Sequence, residues 1–236
     1  MKKTFIVLLL IFSCFFTGGG FAQFQIGPLV GANLSGLSIE PDSLFTGNVN
    51  SKVGLIAGVS IVYNFSSMFS LQIEPAYMEK GAVIYTPYTD VATIVEIEQT
   101  IDVNYIDIPI LLKVSFGEEF IKPYILAGGY IAFPLDDGKT TLEYIIGNGQ
   151  DITELLPEET LNLFKPELIT NSVDLGFNFG AGITFPLGVL DLFLEAQYSL
   201  GLTNITDEEF FLFPELLNPE MKNRGLQIKS GILFSL

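Results

Sequence analysis

The sequence predicts an all-β protein: an eight-stranded antiparallel up-and-down transmembrane β-barrel with short periplasmic turns and long extracellular loops. Three observations predict it. Segments of about ten residues alternate between large apolar residues and small or polar ones, the two-residue period of a β-strand. The apolar face is unbroken, and the opposite face carries carboxylates and glycines, as in strands set between lipid and a polar lumen. The connections between segments alternate between long and short. The clearest stretch is 173–202. Val173, Leu175, Phe177, Phe179, Ala181, Ile183 and Phe185 share one face, opposite Asp174, Gly176, Asn178, Gly180, Gly182 and Thr184. After a Pro-Leu-Gly turn, Leu190, Leu192, Leu194, Ala196, Tyr198, Leu200 and Leu202 oppose Asp191, Phe193, Glu195, Gln197, Ser199 and Gly201.

Residues 1–22 read as a signal peptide. Lys2 and Lys3 precede an apolar run from Phe5 to Phe16, and the small residues Gly20 and Ala22 suit cleavage before Gln23. The run is short for a transmembrane helix. A lipoprotein reading of Ile11-Phe12-Ser13-Cys14 is disfavoured by the bulky Phe12. Residues 23–236 then form one outer-membrane barrel domain. Cleavage removes Cys14, the sole cysteine, and leaves no thiol or disulfide chemistry. It also leaves nine basic against 27 acidic residues, a net charge of −18, which argues against nucleic acid and anionic membrane surfaces. No later stretch is long and apolar enough for a membrane helix, so the apolar residues are dispersed one in two.

Eight strands follow. The first, 24–34, turns Phe24, Ile26, Pro28, Val30, Ala32 and Leu34 outward. The second, 52–65, turns out Val53, Leu55, Ala57, Val59, Ile61, Tyr63 and Phe65. The third, 69–80, turns out Phe69, Leu71, Ile73 and Tyr77, with Gln72, Glu74 and Ala76 inward. The fourth, 101–116, breaks phase. Asp102 and Asn104 lie on one parity and Asp107 and Lys113 on the other, so a bulge near Tyr105-Ile106 would restore a common inward face. The fifth, 121–133, contains Ala127-Gly128-Gly129, which leaves its facing open. The sixth and seventh are the 173–202 hairpin. The eighth starts at Leu226, with Leu226, Ile228, Ile232, Phe234 and Leu236 outward. Long segments near 35–51, 81–100, 134–172 and 203–225 alternate with turns of a few residues. Such loops would be anomalous in a compact soluble domain. Phe65, Phe69, Phe116, Phe185, Tyr105 and Tyr198 lie near strand ends and suit interfacial aromatic girdles.

Four motifs, Tyr105-Ile-Asp-Ile-Pro-Ile-Leu-Leu-Lys113, Lys122-Pro-Tyr-Ile-Leu-Ala-Gly-Gly-Tyr130, Gly180-Ala-Gly-Ile183 and Leu194-Glu-Ala-Gln-Tyr-Ser-Leu-Gly-Leu-Thr-Asn-Ile205, occur in this order and spacing. Together they resemble the PorT-like outer-membrane β-barrel family of Bacteroidota across nearly the whole mature chain. The resemblance implies a bacterial outer-membrane barrel. The founding member takes part in protein secretion and gliding machinery, which implies an accessory role in an envelope protein-secretion complex as an alternative. Gln197 stands where the family commonly has Arg, so a Glu195–Arg pair is absent from this chain. The final Leu236 replaces the aromatic that usually ends a barrel insertion signal, with Phe234 on the same face.

Eight strands enclose a lumen just wide enough for side chains to fill. Lys52, Glu74, Asp107, Lys113, Asp174, Asp191, Glu195, Gln197 and Lys229 fall on inward positions. Charges in so narrow an interior must be paired or hydrogen-bonded. They are expected to form a structural polar network, with Glu74–Lys113 and Glu195–Lys229 as candidate pairs. A proton or ion path is the sharper reading. The chain has no histidine, the usual general base and commonest metal ligand, so no catalytic residue, metal site or cofactor is expected. Asp136-Asp137 and Glu158-Glu159 read as solvated loop charge, and Asp207-Glu208-Glu209 matches no EF-hand spacing. Pro157 followed by two acids suits a helix start. In the fourth loop Phe210, Phe211, Phe213, Leu216 and Leu217 are unusually apolar for a segment facing water. They either pack against Leu155, Leu156, Leu161 and Phe164 as a cap, or form an exposed patch for a partner protein or hydrophobic ligand.

The expected function is a non-enzymatic, monomeric outer-membrane barrel with a structural or binding role through its extracellular loops. Its expected surroundings are outer-membrane lipid, the barrel-assembly machinery during insertion and an envelope protein partner, with no nucleic acid. A soluble lipocalin-like ligand carrier would need an apolar lumen and a polar exterior, the reverse of the pattern. A general porin needs about twice the strands.

Overall fold

The computed structural model describes residues 24–40, 48–90, 93–117, 120–136, 138–146, 150–151, 172–205 and 220–236. The expected signal peptide (1–22), the 155–164 segment and the stretch of Phe210, Phe211, Phe213, Leu216 and Leu217 lie outside the described residues. Among the described residues eleven strands form: β1 Phe24–Glu40, β2 Asn48–Asn64, β3 Phe69–Ile73, β4 Ala76–Asp90, β5 Thr93–Ser115, β6 Lys122–Pro134, β7 Lys139–Ile146, β8 Gln150–Asp151, β9 Asp174–Pro186, β10 Leu190–Gly201 and β11 Glu220–Ser235. β3 and β4 are one wall strand interrupted at Glu74-Pro75, because both pair with β2 on one side and β5 on the other. The wall runs β1, β2, β3/β4, β5, β6, β9, β10, β11 and closes by pairing β11 with β1, all antiparallel. This is an eight-stranded up-and-down barrel. Closure removes the sheet edges that could not be hydrogen-bonded in lipid.

The expected outward residues are exposed or half-exposed and their neighbours are largely buried. The open question of β6 resolves to its even positions: Tyr124, Leu126, Tyr130 and Ala132 face the lumen. Lumen-side glycines seat the large rings among these. Tyr130 registers with Gly176, Tyr124 with Gly182 and Phe193 with Gly231. A Cβ on any of these glycines would lie 2.4 to 2.6 Å from the ring atoms, too close for contact. Small residues on the polar face therefore make room for aromatic ones folded across the next strand. At the short-turn end Phe24, Tyr63 and Phe65 stack with ring centroids 4.7 and 5.0 Å apart.

Three expectations are corrected. No bulge interrupts β5 at Tyr105-Ile106, because its ladders to β4 and β6 run through those residues without a shift. Odd positions face the lumen from Ile101 to Lys113, so Tyr105 is 1% exposed and belongs to the interior rather than to a girdle. Asp102 and Asn104 lie on the opposite face. The register shift sits instead in β2, between Ser51 and Ile56 opposite β4. The strands also run past their expected ends. β1 continues to Glu40 and pairs with Glu220, and residues 81–100 belong mostly to the β4–β5 hairpin, laddered to Asp90–Thr93. β7 adds beside β5 at Val95–Asp102. The physical reason is shared. Outward apolar side chains stop where lipid stops, whereas backbone pairing does not. Past that level the outer face of β4 and β5 is polar: the Tyr77 hydroxyl donates to Asn104 Oδ1 (2.7 Å), and Asn104 Nδ2 donates to Asp136 Oδ2 (2.5 Å).

Candidate functional site

The lumen is filled by two charged layers. The one nearer the short turns is built on Glu74 and Glu195, which arrive from the β3–β4 junction and from β10. Their inward parity puts both carboxylates where no water shell can form. Gln72 Nε2 donates to Glu74 Oε1 (2.7 Å) and Glu195 Oε2 (3.0 Å). Gln197 Nε2 donates to Glu74 Oε2 (3.2 Å) and also to Glu195 Oε1. Lys229 completes Glu74 with an ion pair of 2.8 Å, and the Tyr124 hydroxyl completes Glu195 at 2.9 Å. Each carboxylate thus accepts three bonds, which is what buried ionised groups require. Asn178 Nδ2 donates to Gln197 Oε1 (3.2 Å) and orients that amide. Lys113 lies with its ammonium 3.7 Å from the Tyr124 ring centroid, a cation–π contact.

The second layer is built on Lys80. Its ammonium donates to Asp107 Oδ1 (2.9 Å) and Asp174 Oδ2 (3.3 Å) and lies 4.8 and 4.6 Å from the ring centroids of Tyr105 and Tyr130. Asn223 Nδ2 (3.0 Å) and the Tyr130 hydroxyl (3.3 Å) also donate to Asp174. An apolar cluster packs against these tyrosines, including Leu37, Ile39, Ile84, Ile101, Val103 and Met221. The charged side chains of both layers are buried.

Seven of the nine expected network residues lie in these layers: Glu74, Lys113, Glu195, Gln197 and Lys229 in the first, Asp107 and Asp174 in the second. Lys52 does not. It sits in the irregular part of β2 and pairs with Asp102, the two side chains being 26% and 35% exposed. The expected pairs Glu74–Lys113 and Glu195–Lys229 do not form. Lys229 is in register with Glu195, yet its side chain reaches Glu74. Asp191, half-buried at the short-turn mouth, accepts from Gln25 Nε2 at 2.7 Å. Sequence reasoning missed Lys80, although it shares the inward parity of Gln72 and Glu74. It also missed Tyr124, Tyr130 and Asn223, the neutral groups that finish the carboxylates. Among the described residues, no group of three or more His, Cys, Asp or Glu is placed to hold a metal ion.

The chain matches the family described as outer membrane protein beta-barrel domain over residues 21–207. Among solved structures, OprG from Pseudomonas aeruginosa is 12% identical over 92% of this chain and 97% of its own, with a TM-score of 0.48. Neisserial surface protein A is 12% identical over 92% of this chain and 100% of its own, with a TM-score of 0.45. Ail of Yersinia pestis is 11% identical over 90% and 99%, with a TM-score of 0.39. No curated protein sequence matches the chain. The family match spans the wall from β1 through β10, and it agrees with the closed ring, the apolar exterior and the charged interior. The chain belongs to the outer membrane protein β-barrel domain family and is a bacterial outer-membrane β-barrel protein.

Proposed function

We propose that this protein is a non-enzymatic, plugged barrel that serves as a structural or binding element through its extracellular side, after cleavage of residues 1–22. The observation that carries this reading is the filled lumen. Two layers of bonded charge, one of them packed against an apolar cluster, cross and block the middle of the lumen an eight-stranded barrel encloses. The carboxylates are engaged by amides, phenols and ammonium groups rather than poised around a substrate-sized cleft. In planar bilayers the purified protein is expected to show no steady conductance; a stable open channel would overturn the plug. The binding element is the apolar stretch of Phe210, Phe211, Phe213, Leu216 and Leu217. Replacing Phe211 and Phe213 with Ser should abolish crosslinking to an envelope partner while the barrel still inserts; loss of insertion would identify the stretch as a cap.

A PorT-like role as an accessory subunit of a secretion complex is the second reading. The motif residues favour it. Alternate positions of Tyr105–Lys113 and Lys122–Tyr130 supply Tyr105, Asp107, Lys113, Tyr124 and Tyr130 to the plug, so the resemblance lies in the interior the two would share. Recovery of secretion components after crosslinking in cells separates this reading from the first.

A further inference from the structure

Lys113 is the one lysine of the two charged layers without a carboxylate partner among the described residues. It is 5% exposed, and the two nearest network carboxylates are already occupied. Glu74 and Glu195 each accept three bonds from Gln72, Gln197, Lys229 and Tyr124. What lies on the other side of Lys113 is a cavity of about 310 Å³ that opens at the short-turn end of the barrel, where Ser66 and Gly188 of the turns form part of its lining. Short turns mark the periplasmic side. The walls are rich in hydroxyls, among them Ser70, Ser115 and Thr184, and one side is held by a run of hydrogen bonds. Ser70 donates to Asn64 (2.7 Å), Asn64 to Gln25 (3.4 Å), and Gln25 to Asp191 (2.7 Å).

We propose that this vestibule binds a small carboxylate from the periplasm, with the Lys113 ammonium as its anchoring cation. A buried ammonium whose contact among the described residues is the Tyr124 ring still lacks an ion-pair partner, and a ligand oxyanion would supply one. Of the charged side chains that line the cavity, Lys113 and Lys122 are cationic and Asp191 is anionic, a local balance that suits no more than a monoanion. The cavity lies at the small end of the range for small-molecule sites, about 300–1,000 Å³. That size admits a free short-chain carboxylate or the C-terminal carboxylate of a peptide.

The test uses the full mature protein in detergent micelles, with the thermal midpoint read from folded and unfolded bands in cold gels. Sodium acetate should raise the midpoint saturably, whereas acetamide and sodium chloride at equal ionic strength should not. Lys113→Met should weaken the apparent affinity by about tenfold or more, the loss of one charge-assisted hydrogen bond. Should that variant fail to fold, Ser115→Phe fills the cavity with the ammonium in place and should abolish the acetate effect equally. A tripeptide with a free C-terminus that matches acetate, while its C-terminal amide does not, identifies chain ends as the source. An inert tripeptide identifies a free small carboxylate. Equal responses to acetate and acetamide, or an acetate effect that survives both substitutions, would overturn the site without touching the conductance or loop predictions.

Discussion

The two charged layers of the lumen handle the same difficulty with opposite inventories. Around Lys80 one cation serves two carboxylates: Tyr130 and Asn223 add donors to Asp174, and Asp107 keeps one buried oxygen with no hydrogen bond. Around Glu74 and Glu195 there are two carboxylates and two lysines, yet only Lys229 makes an ion pair, and Gln72, Gln197 and Tyr124 take most of the other acceptor sites. The difference teaches that neutral donors, rather than a matching count of charges, decide which ions are satisfied. A layer rich in amides releases a cation. The layer beside the apolar cluster has none to release, and the layer beside the open cavity does.

Three substitutions sharpen this contrast. The largest effect is expected for Lys80→Met, which leaves two carboxylates buried without a cation and should cost about 3–5 kcal/mol. Urea unfolding in micelles measures it, and an unchanged midpoint would mean that phenols and an amide suffice alone. Lys229→Met should cost less, about 1.5–3 kcal/mol, because Glu74 keeps both amide donors. A loss equal to that of Lys80→Met in the same titration would erase the distinction between the layers. The smallest effect is expected for Lys52→Ala, about 0–1 kcal/mol, because its pair with Asp102 is partly exposed outside the network. A double-mutant cycle with Asp102→Ala reads the coupling, and a value as large as that of the buried pairs would return Lys52 to the lumen.

Much of the wall was legible in the chain. On β9 and β10 every outward residue from Leu175 to Leu200 could be assigned by parity, because lipid on one side and a narrow lumen on the other allow no exchange of faces. On β5 unbroken parity would have been right, and the inferred bulge, which turned Asp102 and Asn104 inward, was wrong. Asp102 and Asn104 are polar and outward because the strand has risen past the lipid there. Loop lengths were overestimated for the same reason, since only lipid contact marks a strand by its outward apolar residues. Lys80 was within reach of the period already applied to Glu74. The partnership of Lys229 with Glu74 was not, because it depends on depth across the lumen rather than on register.

The order of residues along the chain specified an up-and-down barrel, its long and short connections and the strand face that carries most of the charges. These follow from the two-residue period and from alternating connection lengths, both properties of neighbours along the chain. Only the closed ring decided which carboxylate met which donor, where the wall bulged and which lysine was left beside the open cavity. Strand tilt and stagger set the depth of each side chain, and they are settled jointly by all eight strands when the barrel closes.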